Sequence, residues 1–267
     1  MSNETTYGLT ADGVGPVDVT VSDSGTGHTY LLLHGGGGPQ SVAGFANLLA
    51  SRGARVIAPT HPGFSATPRP DTLDSIAALA PVYAALLDRL ELEDVTVIGN
   101  SIGGWIAAEM AVLDTSRIGR FVLVDAVGID VPGHVVADFF SLTPRQVAEL
   151  AYHDPDRFGV DPSKLSPEAL KVMAGNRAAL GVYAGTSMSE TDLAGRLAGV
   201  AKPTLVVWGD SDRLADVDYG RAYAAAIPGA RFELLKDTGH LPQIETPGQL
   251  IEAVWAFAVT SIKTPTS

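Results

Sequence analysis

DVTVIGNSIGGW, residues 94–105, reads as a short β-branched strand that runs into a helix through a very tight turn. Val95, Thr96, Val97 and Ile98 suit a buried strand, and the chain from Gly103 onward suits a helix. Ser101 stands in the turn, with Gly99 and Gly103 two residues away on either side. A backbone bent sharply enough to expose the serine leaves no room for side chains at those two places. The G-x-S-x-G spacing therefore predicts a serine presented as a nucleophile.

Upstream, Thr29–Leu33 is continuously apolar, as a parallel strand covered on both faces should be. It ends in His34, four glycines and Pro39, a run that frees backbone N–H groups to face a ligand. A phosphate-binding P-loop would close with Gly-Lys-Ser/Thr, and a dinucleotide fingerprint begun at Gly35 would need glycine where Gln40 stands. Both readings fail. Before this strand, residues 1–16 read as a loose leader or an edge element, Val17–Val21 as a half-exposed strand, and SDSGTGH (22–28) as a hairpin connection into the next strand. After it come a helix from Ala43 to Ser51 and a strand from Arg55 to Ala58 that closes in the turn containing His61. A long helical segment from Leu73 to Leu92 follows, with Asp71 or Asp74 available near its start.

Beyond the serine turn, a helix is expected over Gly104–Leu113 and a buried strand over Phe121–Val124, ending at Asp125. From about Val131 to Ala201 no good strand is legible, which predicts a helical insertion rather than a structureless loop. Thr143-Pro144-Arg145-Gln146 combines a capping box with proline at the first helical position, Ser166-Pro167-Glu168 repeats the Ser-Pro device, and Ser189–Asp192 resembles a third start. Strand–helix alternation resumes with Thr204–Trp208, Val217–Ala226 and Phe232–Leu235, and a closing helix runs from about Pro247 to Val259 before a frayed IKTPTS. The expected organisation is a core domain of residues 1–130 and 202–267, interrupted by a helical cap at 131–201.

Composition narrows the function classes. The chain has no cysteine, so disulfides, thiolate metal sites and a cysteine nucleophile are excluded. A net charge of −12 argues against nucleic acid, which is bound by clustered Lys and Arg. No apolar run approaches the ~20 residues that span a bilayer, and MSNETTYGLT lacks the pattern of a secretory signal, so a cytoplasmic protein with no membrane partner is expected. The six histidines show no ligand spacing, so neither metal nor cofactor is expected.

A serine hydroxyl needs a base, usually an imidazole oriented by a carboxylate. His240 follows the last predicted strand, and Asp210 and Asp212 follow the strand ending at Trp208-Gly209. Parallel strands alternating with helices bring their carboxyl ends to one sheet edge, so these loops, the serine turn and the His34 glycine loop converge.

The set HGGGG (34–38), GNSIGG (99–104), WGDSD (208–212) and GH (239–240) resembles the α/β-hydrolase superfamily over about Thr29–Val259, with the helical insertion where that family's cap sits. The resemblance implies an α/β fold with a mostly parallel central sheet flanked by helices. It implies Ser101 as nucleophile, His240 as base and Asp212 as the orienting acid; Asp210 is the second choice, and Asp125, the acid position of some relatives, the third. The N–H groups of Ile102 and of Gly36, or Gly37, would form the oxyanion hole. His34, Gly37, Trp105, Arg177 and Leu241 are candidates for the substrate pocket. For His34 and His61 a bracing role competes, for Trp105 a core role, and for Arg177, His134 and His153 simple solvation. Aromatic residues of the insertion, among them Phe139, Phe140, Tyr152 and Tyr183, could line an acyl pocket.

Serine at 101 disfavours the haloalkane dehalogenase and epoxide hydrolase relatives, which carry aspartate there. The leading expectation is a carboxylic-ester hydrolase acting on a small-molecule ester or lactone through an acyl-enzyme. The alternative is a carbon–carbon bond hydrolase of ring-cleavage dienoates, although Leu241 stands where that subfamily generally carries tryptophan. Cofactor-free perhydrolysis uses the same machinery, and a ligand-sensing receptor of the same fold is a reading from another class.

Overall fold

The computed structural model describes residues 3–262. Its elements are β1 (Asn3–Ala11), β2 (Gly15–Gly25), β3 (Thr29–Leu33), α1 (Gln40–Ser51), β4 (Arg55–Pro59), α2 (Ile76–Arg89), β5 (Val95–Asn100), α3 (Ile102–Leu113), β6 (Ile118–Val124) and β7 (Gly128–Ile129). Then follow α4 (Pro144–Ala151), α5 (Pro155–Phe158), α6 (Pro167–Ala184), β8 (Ser189–Glu190), α7 (Leu193–Leu197), β9 (Thr204–Gly209), α8 (Val217–Ala226), β10 (Arg231–Leu235), α9 (Pro242–Glu245) and α10 (Pro247–Ile262).

Eight strands form one sheet in the order β1-β2-β4-β3-β5-β6-β9-β10. The pairs from β4 to β10 are parallel, and β1 and β2 add an antiparallel edge. The strand period of two divides the apolar residues between two layers. Leu31, Leu33, Val95, Val97, Val206 and Trp208 pack with α2, α3 and α8, whereas Tyr30, Leu32, Ile98, Leu205 and Val207 pack with α1 and α10. Both faces are covered, which is why these strands read as continuous apolar runs.

Residues 3–11 form the edge element, a strand in register with β2. Other expectations are corrected: β2 is longer than Val17–Val21 and runs from Gly15 to Gly25. SDSGTGH does not join a hairpin: β2 pairs with β4, not β3, because Val21–Gly25 lies antiparallel to Arg55–Pro59 and β4 thus comes between them. The hairpin is β1–β2. Helix α2 is capped by neither Asp71 nor Asp74; Ser75 accepts from the N–H of Ala78. Ser189–Asp192 does lead into a helix, α7, but only from Leu193, because Ser189 and Glu190 first pair with Gly128 and Ile129. The side chain of Asp192 meets Arg196 at 3.2 Å instead of capping α7.

The other two helix starts form as their sequences indicate. Thr143 and Gln146 complete a reciprocal capping box, and Ser166 caps α6 behind Pro167. The closing helix runs on to Ile262, and the rest of the expected frayed tail lies outside the described residues. Among the described residues no helix is long and apolar enough to cross a membrane.

Candidate active site

The site is assembled at the carboxyl ends of β3, β5, β6, β9 and β10. At the centre, Ser101 adopts φ 57° and ψ −120°, a left-handed backbone that costs a non-glycine residue strain. The flanking glycines make this bend possible by close approach. A Cβ on Gly99 would run into the carbonyl of Gly103, and one on Gly103 into the carbonyls of Leu33 and His34. Helix α3 begins at once with Ile102, so its first N–H groups lack partners within the helix and its dipole favours negative charge there.

Asp212, rather than Asp210, faces the imidazole: Nδ1 of His240 and Oδ2 of Asp212 are 2.7 Å apart. Oδ1 of Asp212 accepts from the N–H groups of Leu214 at 2.9 Å and Ala215 at 3.2 Å, which fixes the carboxylate. Asp210 turns instead toward Thr238 and Ser211. Because Nδ1 is engaged by a carboxylate, it carries the ring proton, and Nε2 is the basic nitrogen. Ser101, Asp212 and His240 expose only 8%, 3% and 5% of their surfaces, so the three side chains are largely desolvated.

Two residues overlooked in the sequence join the serine turn to the histidine loop. Asn100 donates to the backbone carbonyls of Val124 and His240 at 3.2 and 3.0 Å, and accepts from Gln243 at 3.0 Å. An asparagine ending an otherwise apolar strand was the available signal, since a buried amide needs partners. Asp125 also reaches the site, at the end of β6 and wholly buried.

The glycine loop lies beside the serine: a Cβ on Gly35 would fall 3.1 Å from Ser101 Cβ. His34 is fully buried and both its ring nitrogens are used, Nδ1 donating to the Gly35 carbonyl at 2.7 Å and Nε2 accepting from the His61 N–H at 3.1 Å. His61 donates from Nε2 to the His34 carbonyl at 2.9 Å and accepts at Nδ1 from the Tyr83 hydroxyl. Burial pushes the His61 pKa down to about 4 and that of His34 well below its ordinary value, so both rings are neutral. His34 thus braces the loop and offers nothing to a substrate.

From the other side, Asn176 on α6 donates to the Gly37 carbonyl at 3.2 Å and accepts from the Ser65 N–H at 2.7 Å. Leu180, one turn on, lies above Gly36, and Tyr183 donates to the Pro62 carbonyl. Asn176 was legible only through its spacing, since it shares a helical face with Ala179, Leu180 and Tyr183.

The remaining sequence candidates are placed as follows. Trp105 packs in the core beneath Gly128. The guanidinium of Arg177 donates to the carbonyls of Phe139 and Phe140 at 3.1 and 2.7 Å and lies over both rings. Leu241 packs with Tyr152 and Leu214. His134 pairs with Asp216, and His153 bonds to Ser211, so neither is simply solvated.

A model of the alpha/beta hydrolase fold matches residues 31–247. The chain is 28% identical over 262 residues, 88% of each chain, to the 2-hydroxy-6-oxononadienedioate/2-hydroxy-6-oxononatrienedioate hydrolase of Cupriavidus pinatubonensis. Among solved structures, an esterase of Thermogutta terrifontis superposes with a TM-score of 0.77 at 23% identity, over 96% of this chain and 99% of that one. A meta-cleavage product hydrolase of Pseudomonas fluorescens gives 0.74 at 21%, over 96% and 98%. At these identities the structural likeness speaks to fold alone.

Proposed function

Starting from the fact that the chain belongs to the alpha/beta hydrolase fold family and is a hydrolase, we propose that it cleaves small carboxylic esters through an acyl-enzyme on Ser101. The observation that carries this reading is the imidazole of His240, held by Asp212 at 2.7 Å at the same sheet edge as the strained serine turn.

Nε2 of His240 takes the Ser101 proton as Oγ attacks the ester carbonyl, and the tetrahedral oxyanion forms against the N–H groups of Ile102 and Gly36. Collapse breaks the ester C–O bond, and the imidazolium returns its proton to the departing alkoxide. Water then attacks the acyl-serine with His240 again as base, releasing the acid and restoring Ser101. Helices of the segment 131–201 act as the cap, with Leu180 above the oxyanion loop. Asp212 stabilises the imidazolium without taking its proton.

A second reading, carbon–carbon bond hydrolysis of a ring-cleavage dienoate, is favoured by the names of several relatives at 26–29% identity. The same serine, imidazole and oxyanion hole would serve it.

Kinetic comparison of 4-nitrophenyl butyrate with a ring-cleavage dienoate separates the two. The ester reading predicts a kcat/KM higher for the ester by about tenfold or more. The reverse order would replace it by the second reading.

A further inference from the structure

Two buried carboxyl groups stand behind His240 where the mechanism uses one. Asp125 is wholly buried at the end of β6, in a left-handed backbone with φ 44°. One of its carboxyl oxygens lies within 4.8 Å of both an Asp212 carboxyl oxygen and a ring nitrogen of His240. Oδ1 accepts from the Gly209 N–H at 2.9 Å, whereas Oδ2 is buried with no donor facing it. An ionised carboxylate so placed would be desolvated, under-bonded and beside a second negative charge, three costs that add.

Counting lone pairs resolves the conflict. An ionised carboxylate offers about four acceptor sites. Asp212 uses three of them, on Leu214, Ala215 and His240. One remains, and a protonated Asp125 has one O–H to give. A shared metal ion fits less well. Two ligands of one tetrahedral zinc stand roughly 3.3 Å apart, whereas Nδ1 of His240 and Oδ2 of Asp212 are 2.7 Å apart, a hydrogen-bond separation.

We propose that Asp125 is a protonated carboxylic acid that donates a hydrogen bond to Asp212, so that the two acids behind His240 carry one negative charge between them. Asp125 is then a positioning residue. It holds Asp212 on the imidazole and removes a second charge that would make the imidazolium too stable to return its proton. Burial first, and then the charge of Asp212, push the Asp125 carboxyl well above the ordinary carboxylate range; Glu245 adds in the same direction. The charged or titratable groups that face it are thus Asp212, His240 and Glu245. The proposal rests on the catalytic reading of Ser101, Asp212 and His240, but the proton itself can be observed without turnover.

The test is an infrared difference spectrum at pH 8 between the wild type and Asp125→Asn, joined to pH profiles of kcat/KM. Asparagine can still accept from Gly209 and donate to Asp212. The expected result is a protonated-carboxyl C=O band present only in the wild type, with kcat and the acid limb of the profile retained within about twofold in Asp125→Asn. Asp125→Leu, which has no donor, should lower kcat by about 10 to 10²-fold through a misplaced Asp212. Should the leucine variant not fold, the asparagine variant and the spectrum decide. Absence of the band, or an acid limb that drops in Asp125→Asn because the imidazolium has lost a neighbouring negative charge, overturns the proposal. A band with no ester turnover would leave the proton standing and count against the catalytic reading alone.

Discussion

In the proposed mechanism, one peptide plane decides whether Gly36 can serve the oxyanion. The carbonyl of Gly35 and the N–H of Gly36 belong to the same trans peptide, so they point in opposite directions. By drawing the Gly35 carbonyl inward at 2.7 Å, His34 turns the Gly36 N–H outward. The aim is held in turn by His61 and Tyr83. A buried imidazole with no access to substrate therefore has a kinetic consequence. His34→Ala should lower kcat on 4-nitrophenyl butyrate by about 10 to 10²-fold, somewhat less than outright loss of an oxyanion donor. KM should change little, because the donor acts on charge that develops in the transition state. Steady-state kinetics checks this, and an unchanged kcat would show that the loop holds its aim unaided.

The elements differ in how plainly their causes are written in the sequence. The turn from β5 to α3 was readable because its requirement is local: two glycines at fixed spacing and one residue forced to positive φ. The cap of α2 was not, since several polar residues near its start can each accept an N–H, and only backbone geometry chose Ser75. The partner of β2 was equally hidden, because pairing across the sheet depends on where β4 returns, a long-range matter.

Glycine substitutions read this difference directly. A Cβ on Gly103 would enter the carbonyls of Leu33 and His34, so Gly103→Ala should destabilise by about 1–3 kcal/mol. Gly175, inside α6, has open space around it, and Gly175→Ala should stabilise by roughly 0.5–1 kcal/mol. Urea unfolding measures both, and equal effects would refute the packing argument. On the same helix, Leu180 lies above Gly36. Leu180→Ala should therefore raise relative kcat/KM for longer acyl chains, measured across a series of 4-nitrophenyl esters; an unaltered chain-length profile would place the acyl group elsewhere.

For the molecule as a whole, the neutral histidines beneath the glycine loop link stability to pH. The folded His61 has a pKa of about 4, while in the unfolded chain it returns to 6.5. Between those values the unfolded chain binds a proton that the folded chain refuses, so the stability contributed by neutral His61 is lost as pH falls through that window. His34 acts in the same direction. His61→Gln keeps an amide for hydrogen bonding but cannot titrate. The Tm advantage of the wild type over this variant should therefore shrink between pH 7.5 and about pH 5.5, and a constant difference would argue against buried neutral imidazoles.

The convergence of strand ends was legible from the alternation of strands and helices alone, and it set the candidate residues side by side. The hydrogen bonds that make them a site, from Asn100 to the His240 loop and from Asn176 to the glycine loop, span 140 and 139 residues of chain and left only faint local signals. The central claim is that Ser101 carries an acyl group during turnover. Rapid mixing with 4-nitrophenyl acetate and butyrate tests it most directly. The account predicts a stoichiometric burst of nitrophenolate followed by steady turnover in the wild type, with both absent in Ser101→Ala; a Ser101→Ala variant that keeps its burst and full activity would contradict it.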